Sequence, residues 1–354
     1  MNKPNILVLT TSTSNTAAFI GSLQCLDLYN VSPLPYDRKW HEQAGMAIQQ
    51  NPDFLKALQN RQAHIPRERC AMDDQMLMEA KIGKPDAIVY ISAWQEDYVP
   101  LNETLGELNS IAPLIHFLCD GADFPWWPQL KEFERRGTFS LTVNIDGSHY
   151  WPGGKDWPDV GVTAREPDGS ETLLPKISNA MTLLTPVDVS KFPHTGVAYT
   201  ERPYAIGYGG NNGGHMRSVI VQRMQRVPGF AFKQRDVNPE TYQGYADFLS
   251  HCRVSVNVPF TGTGLHRHVK GRVLETGFAG ACLLEWENEA TRAWFSPRNE
   301  FFEYNTIDGC ADIAEWLSNH PRIAEETARA LNERVVRDHH PCVFWSKVLG
   351  AVMK

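Results

Sequence analysis

The sequence predicts an α/β protein with two parallel sheets. Short apolar runs bounded by turn residues recur along the chain, and helical patterns separate them. The 354 residues also exceed the size at which one core usually keeps growing, so two domains are expected. The candidate strands of the first sheet are residues 6–10, 87–92, 114–119, 139–144 and 181–184. Those of the second sheet are residues 204–208, 230–233, 254–258, 281–285 and 301–304.

The segment 185–195 carries two prolines and little periodicity, which is typical of a linker. We therefore expect a first domain over residues 1–190 and a second over 191–338. An irregular stretch at about 150–175 predicts a loop or small hairpin inserted in the first domain. After helical patterns at 308–319 and 321–338, residues 339–354 form a last apolar helix. This helix needs a partner surface and is expected to cross back to the first domain.

Composition and charge exclude several classes of protein. Apolar residues make up 42% and charged residues 21%, as in globular proteins, and a net charge of −7 argues against a surface built wholly to hold polyanions. The seven cysteines are widely spread without a C-x-x-C pair, so neither a zinc site nor a disulfide framework is indicated. No apolar run approaches the ~20 residues that cross a bilayer, and no signal peptide is indicated. We expect a cytoplasmic protein without a membrane span.

The stretch 265–285 is the most informative, because a cationic segment runs into a short helix and then into an apolar strand. This layout indicates a pocket for a nucleotide diphosphate. A leaving diphosphate needs positive charge, and Glu275 can accept hydrogen bonds from ribose hydroxyls. Neighbouring residues of an extended segment face opposite sides, so we expect one or two of the cations to contact one ligand. The candidate cations are His266, Arg267, His268, Lys270 and Arg272.

A second glycine-rich stretch can also approach a phosphate. Gly209 and Gly210 end a predicted strand before a helix, where backbone N–H groups can contact an anion without interference from a Cβ atom. Arg217 follows in that helix. The glycines alone are also compatible with a flexible turn. The cation Arg217 in the following helix is what favours a phosphate site at this position.

Residues 200–347 resemble the C-terminal half of GT-B glycosyltransferases, particularly the spore-coat CgeB-like branch. The resemblance is carried by Tyr-Ala-Ile-Gly-Tyr-Gly-Gly-Asn-Asn at 204–212 and by Arg217. It continues in Lys-Gly-Arg-Val-Leu-Glu-Thr-Gly-Phe-Ala-Gly-Ala-Cys-Leu-Leu at 270–284 and His-His-Pro-Cys-Val-Phe-Trp at 339–345. The first domain is similar to the family only in its order of strands.

The resemblance implies two Rossmann-like domains facing a cleft, with the nucleotide sugar held by the second domain and the acceptor by the first. It implies a metal-independent hexosyl- or pentosyltransferase that uses a nucleotide-diphosphate sugar as co-substrate and needs no cofactor. Glu275 resembles the glutamate that grips the donor ribose, and Arg217 resembles the cation that contacts the diphosphate. Many retaining members have another Glu eight positions earlier, where this chain has Arg267, so the stereochemistry stays open.

If transfer inverts the sugar, the acceptor hydroxyl needs a general base. Asp120 follows a predicted strand, at the sheet edge where open α/β sheets bind ligands, and is the candidate; Asp123 and Asp146 compete with it. The acceptor class stays open between a small molecule, a protein and DNA with a modified nucleobase, for which residues 61–69 form a small basic patch.

Two alternative functions are compatible with the same fold. One is a nucleotide-sugar 2-epimerase, which needs no acceptor, and the other is a non-catalytic GT-B-like binding protein. Four tryptophans could stack on a ligand, yet most tryptophans pack in cores, and packing is favoured for Trp126, Trp127, Trp151 and Trp157. Glu275 is expected to face polar surroundings, so that Glu275→Ala weakens donor binding with little loss of fold.

Overall fold

A computed structural model of the protein describes residues 2–10, 14–35, 71–92, 100–119, 127–165, 171–193, 195–211, 215–235, 241–260 and 266–353. The chain forms two compact units. The first contains Met1–Ser12, Leu26–Leu183 and Trp345–Lys354, and the second contains Thr13–Cys25 and Leu184–Phe344. The basic patch predicted at 61–69 lies outside the described residues.

The described part of the first unit is built on a six-stranded sheet in which every pairing is parallel. The strand order is β2-β1-β3-β4-β5-β8. These strands are β1 (Asn5–Thr10), β2 (Asn30–Pro35), β3 (Ala87–Ser92), β4 (Leu114–Leu118), β5 (Leu141–Asn144) and β8 (Ala180–Thr182). An antiparallel hairpin joins β6 (Val162–Arg165) to β7 (Glu171–Leu174). The described helices between β1 and β5 are α1 (Ser14–Gln24), α2 (Ala71–Gly83), α3 (Asn102–Ile111) and α4 (Trp127–Arg136). Of these, α1 belongs to the second unit and the other three belong to the first.

The described part of the second unit is built on a five-stranded parallel sheet of order β10-β9-β11-β12-β13. Its strands are β9 (Tyr204–Gly210), β10 (Phe230–Gln234), β11 (Cys252–Asn257), β12 (Cys282–Trp286) and β13 (Phe302–Tyr304). Its further helices are α5 (His215–Met224), α6 (Tyr242–Ser250), α7 (Gly271–Phe278), α8 (Glu289–Arg292), α9 (Ile307–Asn319) and α10 (Pro321–Asp338). Helix α11 (Pro341–Val352) closes the chain.

The predicted α/β class with parallel sheets is confirmed. Strands buried on both faces read as continuous apolar runs, which is why the ten predicted strands coincide with or overlap observed ones. Strand β2 was not predicted, because Pro33 and Pro35 argue against a strand. Within the described residues β2 pairs only with β1 and forms an edge of the sheet, where a residue without an N–H is tolerated.

The irregular stretch near residue 150 packs into the first core. Trp151 and Trp157 are buried, and their indole N–H groups donate to the Thr182 hydroxyl at 2.9 Å and to the Leu174 carbonyl at 3.4 Å. The packing interpretation is therefore correct for both residues. Trp126 lies outside the described residues, and Trp127 begins α4.

The last helix, α11, buries its apolar side chains. Trp345 lies in the first unit and packs edge-to-face on Phe117 of β4, with 5.6 Å between ring centroids. Val348 and Leu349 are buried on the same helix. The residues from Trp345 onward thus belong to the first unit. Among the described helices, none is long and apolar enough to cross a membrane.

Close packing between α7 and α10 depends on one glycine. A Cβ atom on Gly277 would lie 2.8 and 2.9 Å from the two Cγ atoms of Val335 and 3.2 Å from Cγ of Leu331. The Gly277 carbonyl also accepts a hydrogen bond of 2.9 Å from the Asn332 side chain. Helix α7 carries Arg272 and Glu275, so this contact with α10 helps to position the two candidate site residues.

We predict that Gly277→Ala lowers the free energy of unfolding by about 1–3 kcal/mol, because a β-branched neighbour cannot move away from the added methyl group. Gly106, in the interior of α3, is the control, since nothing lies within 4 Å of an added Cβ. Gly106→Ala should stabilise the protein by about 0.5–1 kcal/mol through helix propensity. Urea unfolding of both variants checks this, and equal effects would contradict the packing argument.

Candidate functional site

The strand order of the second sheet locates its ligand-binding edge. In an open parallel sheet, ligands bind beyond the carboxyl ends of the strands, where the order of connection reverses. That point lies between β9 and its neighbour β11. Strand β9 ends at Gly210 and β11 ends at Asn257. The residues around these two ends form the candidate site.

The two predicted glycines are packed against protein side chains. Gly210 has φ = 149°, and a Cβ atom there would lie 2.0 Å from Nη2 of Arg272. A Cβ atom on Gly209 would lie 2.7 Å from the ring of Tyr245. Both positions therefore require glycine because of the chain's own arginine and tyrosine, which the sequence analysis did not foresee.

Arg272, the second residue of α7, lies at the reversal point. Its Nη1 donates to Oδ1 of Asn257 at 2.7 Å, and its guanidinium carbon lies 4.8 Å from the centre of the Tyr208 ring. Burial tends to lower the pKa of Arg272, but the neighbouring Tyr208, Tyr245 and Glu275 raise it above the usual value. Arg272 is therefore a fixed cation, held by a hydrogen bond and an aromatic face.

A buried carboxyl group orients the Asn257 amide. Glu285, in β12, accepts from Nδ2 of Asn257 at 3.2 Å, from Oγ1 of Thr291 at 3.0 Å and from Nδ2 of Asn288 at 3.4 Å. Because the amide nitrogen of Asn257 is directed to Glu285, its oxygen is directed to Arg272. Burial raises the pKa of Glu285 to about 7, although these hydrogen bonds and Arg272 lower it in part.

Glu275 is buried, with 4% of its side chain exposed, and the groups that contact its carboxylate are polar. Its Oε1 accepts from Arg235 at 3.2 Å and from the Tyr242 hydroxyl at 3.1 Å. Its Oε2 accepts from Arg235 at 3.4 Å and from the Tyr245 hydroxyl at 2.7 Å. Removing Glu275 leaves the Arg235 guanidinium without this counter-ion, so the structure leads us to expect that Glu275→Ala destabilises the fold, in contrast to the expectation from the sequence.

Arg235 follows β10 and is the second half-buried arginine of this region. Its guanidinium carbon lies 5.0 Å from the Tyr242 ring centre and 4.6 Å from that of Tyr245. Burial tends to lower its pKa most strongly, but Glu275, Tyr245 and Tyr242 together raise the pKa above the usual value. The backbone N–H of Arg235 donates to the carbonyl of Gly210 at 3.2 Å, which ties this residue to the end of β9.

The remaining predicted donor contacts are Arg217, His268 and Lys270. Arg217, at the start of α5, donates from Nη2 to the Phe260 carbonyl at 2.9 Å. Lys270 is half-buried and directly precedes α7. His268 is buried, and its backbone N–H donates to the Pro259 carbonyl at 3.2 Å. Arg267 is exposed and donates to the carbonyl of Glu287.

The structure thus brings Gly209, Gly210, Arg272 and Glu275 together. Their roles as donor contacts, and those of Arg217, His268 and Lys270, stay predictions. Sequence reasoning missed further polar residues of the same cluster. A single Glu inside the apolar strand at 282–286 was an available signal for Glu285, because an unpaired charge is rarely buried there. The missed residues are Tyr208, Arg235, Tyr242, Tyr245, Asn257 and Glu285.

In the first unit, the candidate base Asp120 and its competitor Asp123 lie outside the described residues. Asp146 is buried after β5, where its Oδ1 accepts from Nδ2 of Asn144 at 2.6 Å and from the Ser148 N–H at 2.9 Å. These bonds are typical of a side chain that holds a turn. In the part of the chain that the structure describes, no group of three or more His, Cys, Asp or Glu side chains could hold a metal ion.

Part of the chain is similar to a known protein family. A family model described as glycosyl transferase-like matches residues 211–345, which include Arg235, Asn257, Arg272, Glu275 and Glu285. The match does not distinguish the CgeB-like branch. A search of curated protein sequences finds no significant match.

Solved structures match the whole chain at low sequence identity. The Anabaena protein Alr3699/HepE, in complex with UDP-glucose, has a TM-score of 0.55 at 10% identity and covers 98% of each chain. The fold is that of GT-B glycosyltransferases. An α,α-trehalose 6-phosphate synthase from Burkholderia multivorans has a TM-score of 0.56 at 10% identity, covering 99% of this chain and 98% of its own. An α-glucosyltransferase in complex with UDP-glucose and DNA containing an abasic site has a TM-score of 0.53 at 10% identity and covers 100% of both chains.

The raised pKa of Glu285 predicts a pH-dependent stability. A carboxyl group with a folded-state pKa of about 7, above its ordinary 4.5, binds more protons in the folded than in the unfolded protein between these values. Its contribution to stability is therefore complete below pH 4.5 and is lost as the pH rises through 7. Since each pKa unit corresponds to about 1.4 kcal/mol, the change amounts to about 3 kcal/mol.

Glu285→Gln cannot lose this proton, so the stability of the wild type relative to the variant should fall from pH 5 to pH 8. Urea unfolding at several pH values measures the difference. Glu315→Gln, on the exposed side of α9, is the control for removing a carboxylate. A difference between wild type and Glu285→Gln that is constant with pH would contradict the assignment.

Proposed function

We propose that this protein is a glycosyltransferase that moves a sugar from a nucleotide-diphosphate donor to a hydroxyl acceptor without a metal ion. The observation that carries the proposal is the fixed Arg272 guanidinium, held by Asn257 beside Gly210 at the ligand-binding edge of a parallel sheet. The match of residues 211–345 to a glycosyl transferase-like family supports it. So does the GT-B fold, which this chain shares with proteins solved in complex with UDP-glucose.

Transfer of the sugar requires positive charge at the leaving diphosphate, and Arg272 supplies it at this edge of the sheet. When the anomeric C–O bond breaks, its electron pair goes to the diphosphate, whose negative charge grows in the transition state. A cation that is already held in position lowers this barrier without reorganisation, and loss of one such donor commonly costs ~3 kcal/mol. Asn257 and the face of Tyr208 hold Arg272 in position.

The donor contacts follow from the same arrangement. Glu275 accepts the ribose hydroxyls in this proposal, and Arg272 binds the diphosphate near the ends of β9 and β11. Positive charge from Arg217 and Lys270 at the starts of α5 and α7 adds to the attraction of the anion. Backbone N–H groups at these helix starts favour an anion for the same electrostatic reason.

The general base in the first unit is proposed to be Asp120, which follows β4 in the sequence. The carboxyl end of a parallel strand is where such a base meets an acceptor. Asp146 is the weaker candidate, because its Oδ1 is committed to Asn144 and Ser148.

A modified nucleobase in DNA is the acceptor class that we would test first. The structural similarity to an α-glucosyltransferase in complex with UDP-glucose and DNA supports this choice, while the net charge of −7 weighs against it. A mobility shift on duplex DNA that weakens steeply with salt supports DNA as the acceptor. Its absence turns the search to small-molecule and protein acceptors.

We expect the purified protein to bind one donor from a panel of UDP-, GDP-, ADP- and dTDP-sugars in a chelator-containing buffer. Mass spectrometry measures the bound donor and the free nucleotide diphosphate. Arg272→Gln should weaken binding at least about tenfold, because it removes a charge-assisted contact to the diphosphate. Arg223→Gln, which loses only a surface pair with Asp308, is the matched control. Absence of any bound donor contradicts the proposed function.

Asp120→Asn should abolish transfer while leaving donor affinity unchanged, because the amide cannot take the proton of the acceptor hydroxyl. Turnover with a saturating donor and calorimetric donor binding measure the two effects separately. Asp123→Asn is the comparison from the same segment. Loss of turnover in Asp123→Asn alone would move the base to that residue, and full activity of both variants would contradict a base in this segment.

A further inference from the structure

The Glu275 carboxylate is fully occupied by protein donors. A carboxylate offers about four acceptor positions on its two oxygens. Arg235 contacts both oxygens, Tyr242 donates to Oε1, and Tyr245 donates to Oε2. A ribose hydroxyl can therefore reach Glu275 only after one of these donors has moved.

Arg235 is the donor that can move. Tyr242 and Tyr245 lie on α6, and their rings are buried in the core cluster that also contains Phe248, so moving either one opens that core. Arg235 follows a strand end, and 14% of its side chain is exposed. Its contacts with the tyrosines are made with ring faces, which do not lock one direction of the guanidinium.

The surroundings of Arg235 supply a second partner for its charge. Its backbone N–H is bonded to the carbonyl of Gly210, and the Gly210 Cα faces Nη2 of Arg272. The Arg235 side chain therefore starts at the same strand end at which the proposed diphosphate contact lies. A diphosphate there would give the guanidinium an anionic partner in place of Glu275.

We propose that Arg235 is a donor-binding residue that exchanges partners, leaving Glu275 for the diphosphate when the ribose of a nucleoside diphosphate takes its place on the carboxylate. This inference rests on the proposed function and adds a residue and a selection rule to it. Both halves of the ligand are needed, because a nucleoside breaks the ion pair without offering an anion and a diphosphate alone leaves Glu275 without a ribose. The site thus selects a nucleoside diphosphate whose sugar carries a free hydroxyl over either half.

Calorimetry on the full chain tests the exchange with the nucleoside diphosphate that the wild type binds best among UDP, GDP, ADP and dTDP. The ligands are that nucleotide, its nucleoside and the 2′,3′-dideoxynucleoside. In Arg235→Gln the nucleotide should bind about tenfold more weakly, and the nucleoside severalfold more tightly, because its hydroxyls no longer compete with an ion pair. The dideoxynucleoside should bind equally to both proteins. Arg223→Gln should match the wild type throughout.

The outcomes separate this inference from the proposed function. Opposite changes for nucleotide and nucleoside support the exchange, whereas equal losses or no change overturn it and leave the glycosyltransferase proposal standing. If the wild type binds none of the four nucleotides, the proposed function fails and the exchange fails with it. Thermal unfolding checks that Arg235→Gln is folded; if it is not, Arg235→Lys carries the same test, with a smaller loss for the nucleotide and a gain for the nucleoside.

Discussion

Partial burial of two guanidinium groups at the end of one parallel sheet is the constraint on which the second unit depends. A buried cation is tolerated only where anions, amide oxygens or aromatic faces surround it. Glu275 supplies the anion for Arg235, and Asn257 supplies the oxygen for Arg272. Glu285 then fixes which way the Asn257 amide points. The site is therefore a connected polar network, in which each residue sets the orientation of the next.

The fold could be predicted because each buried strand is recognisable from its own short segment of sequence. Parallel strands are buried on both faces, so their apolar runs stand out in the sequence, as 204–208 and 254–258 do. Strand β2 was not predicted because its extended conformation depends on pairing with β1 rather than on its own composition. The burial of Trp151 and Trp157 was predicted from residue type, but their hydrogen-bond partners Thr182 and Leu174 are seen only in the folded chain.

The site could be predicted only in part, for a related reason. Spacing indicated that Arg272 and Glu275 share a short helix, and the glycines at 209 and 210 marked a strand end. The partners of these residues come from α6, β10, β11 and β12, and no spacing rule connects those segments. The tyrosines of α6 are 30 and 33 positions from Glu275, so only the folded chain shows that they satisfy its carboxylate. This is also why the sequence did not show that Glu275 is the counter-ion of Arg235.

The division of the chain has a consequence for how the protein is made. Residues up to Leu183 leave the ribosome long before Trp345, yet both belong to the first unit. The second unit is complete once Phe344 has emerged. Domains usually fold in the order of their synthesis. Here the unit that begins first cannot bury Phe117 against Trp345 until the other has been translated, so this part of its apolar surface stays uncovered until synthesis reaches α11.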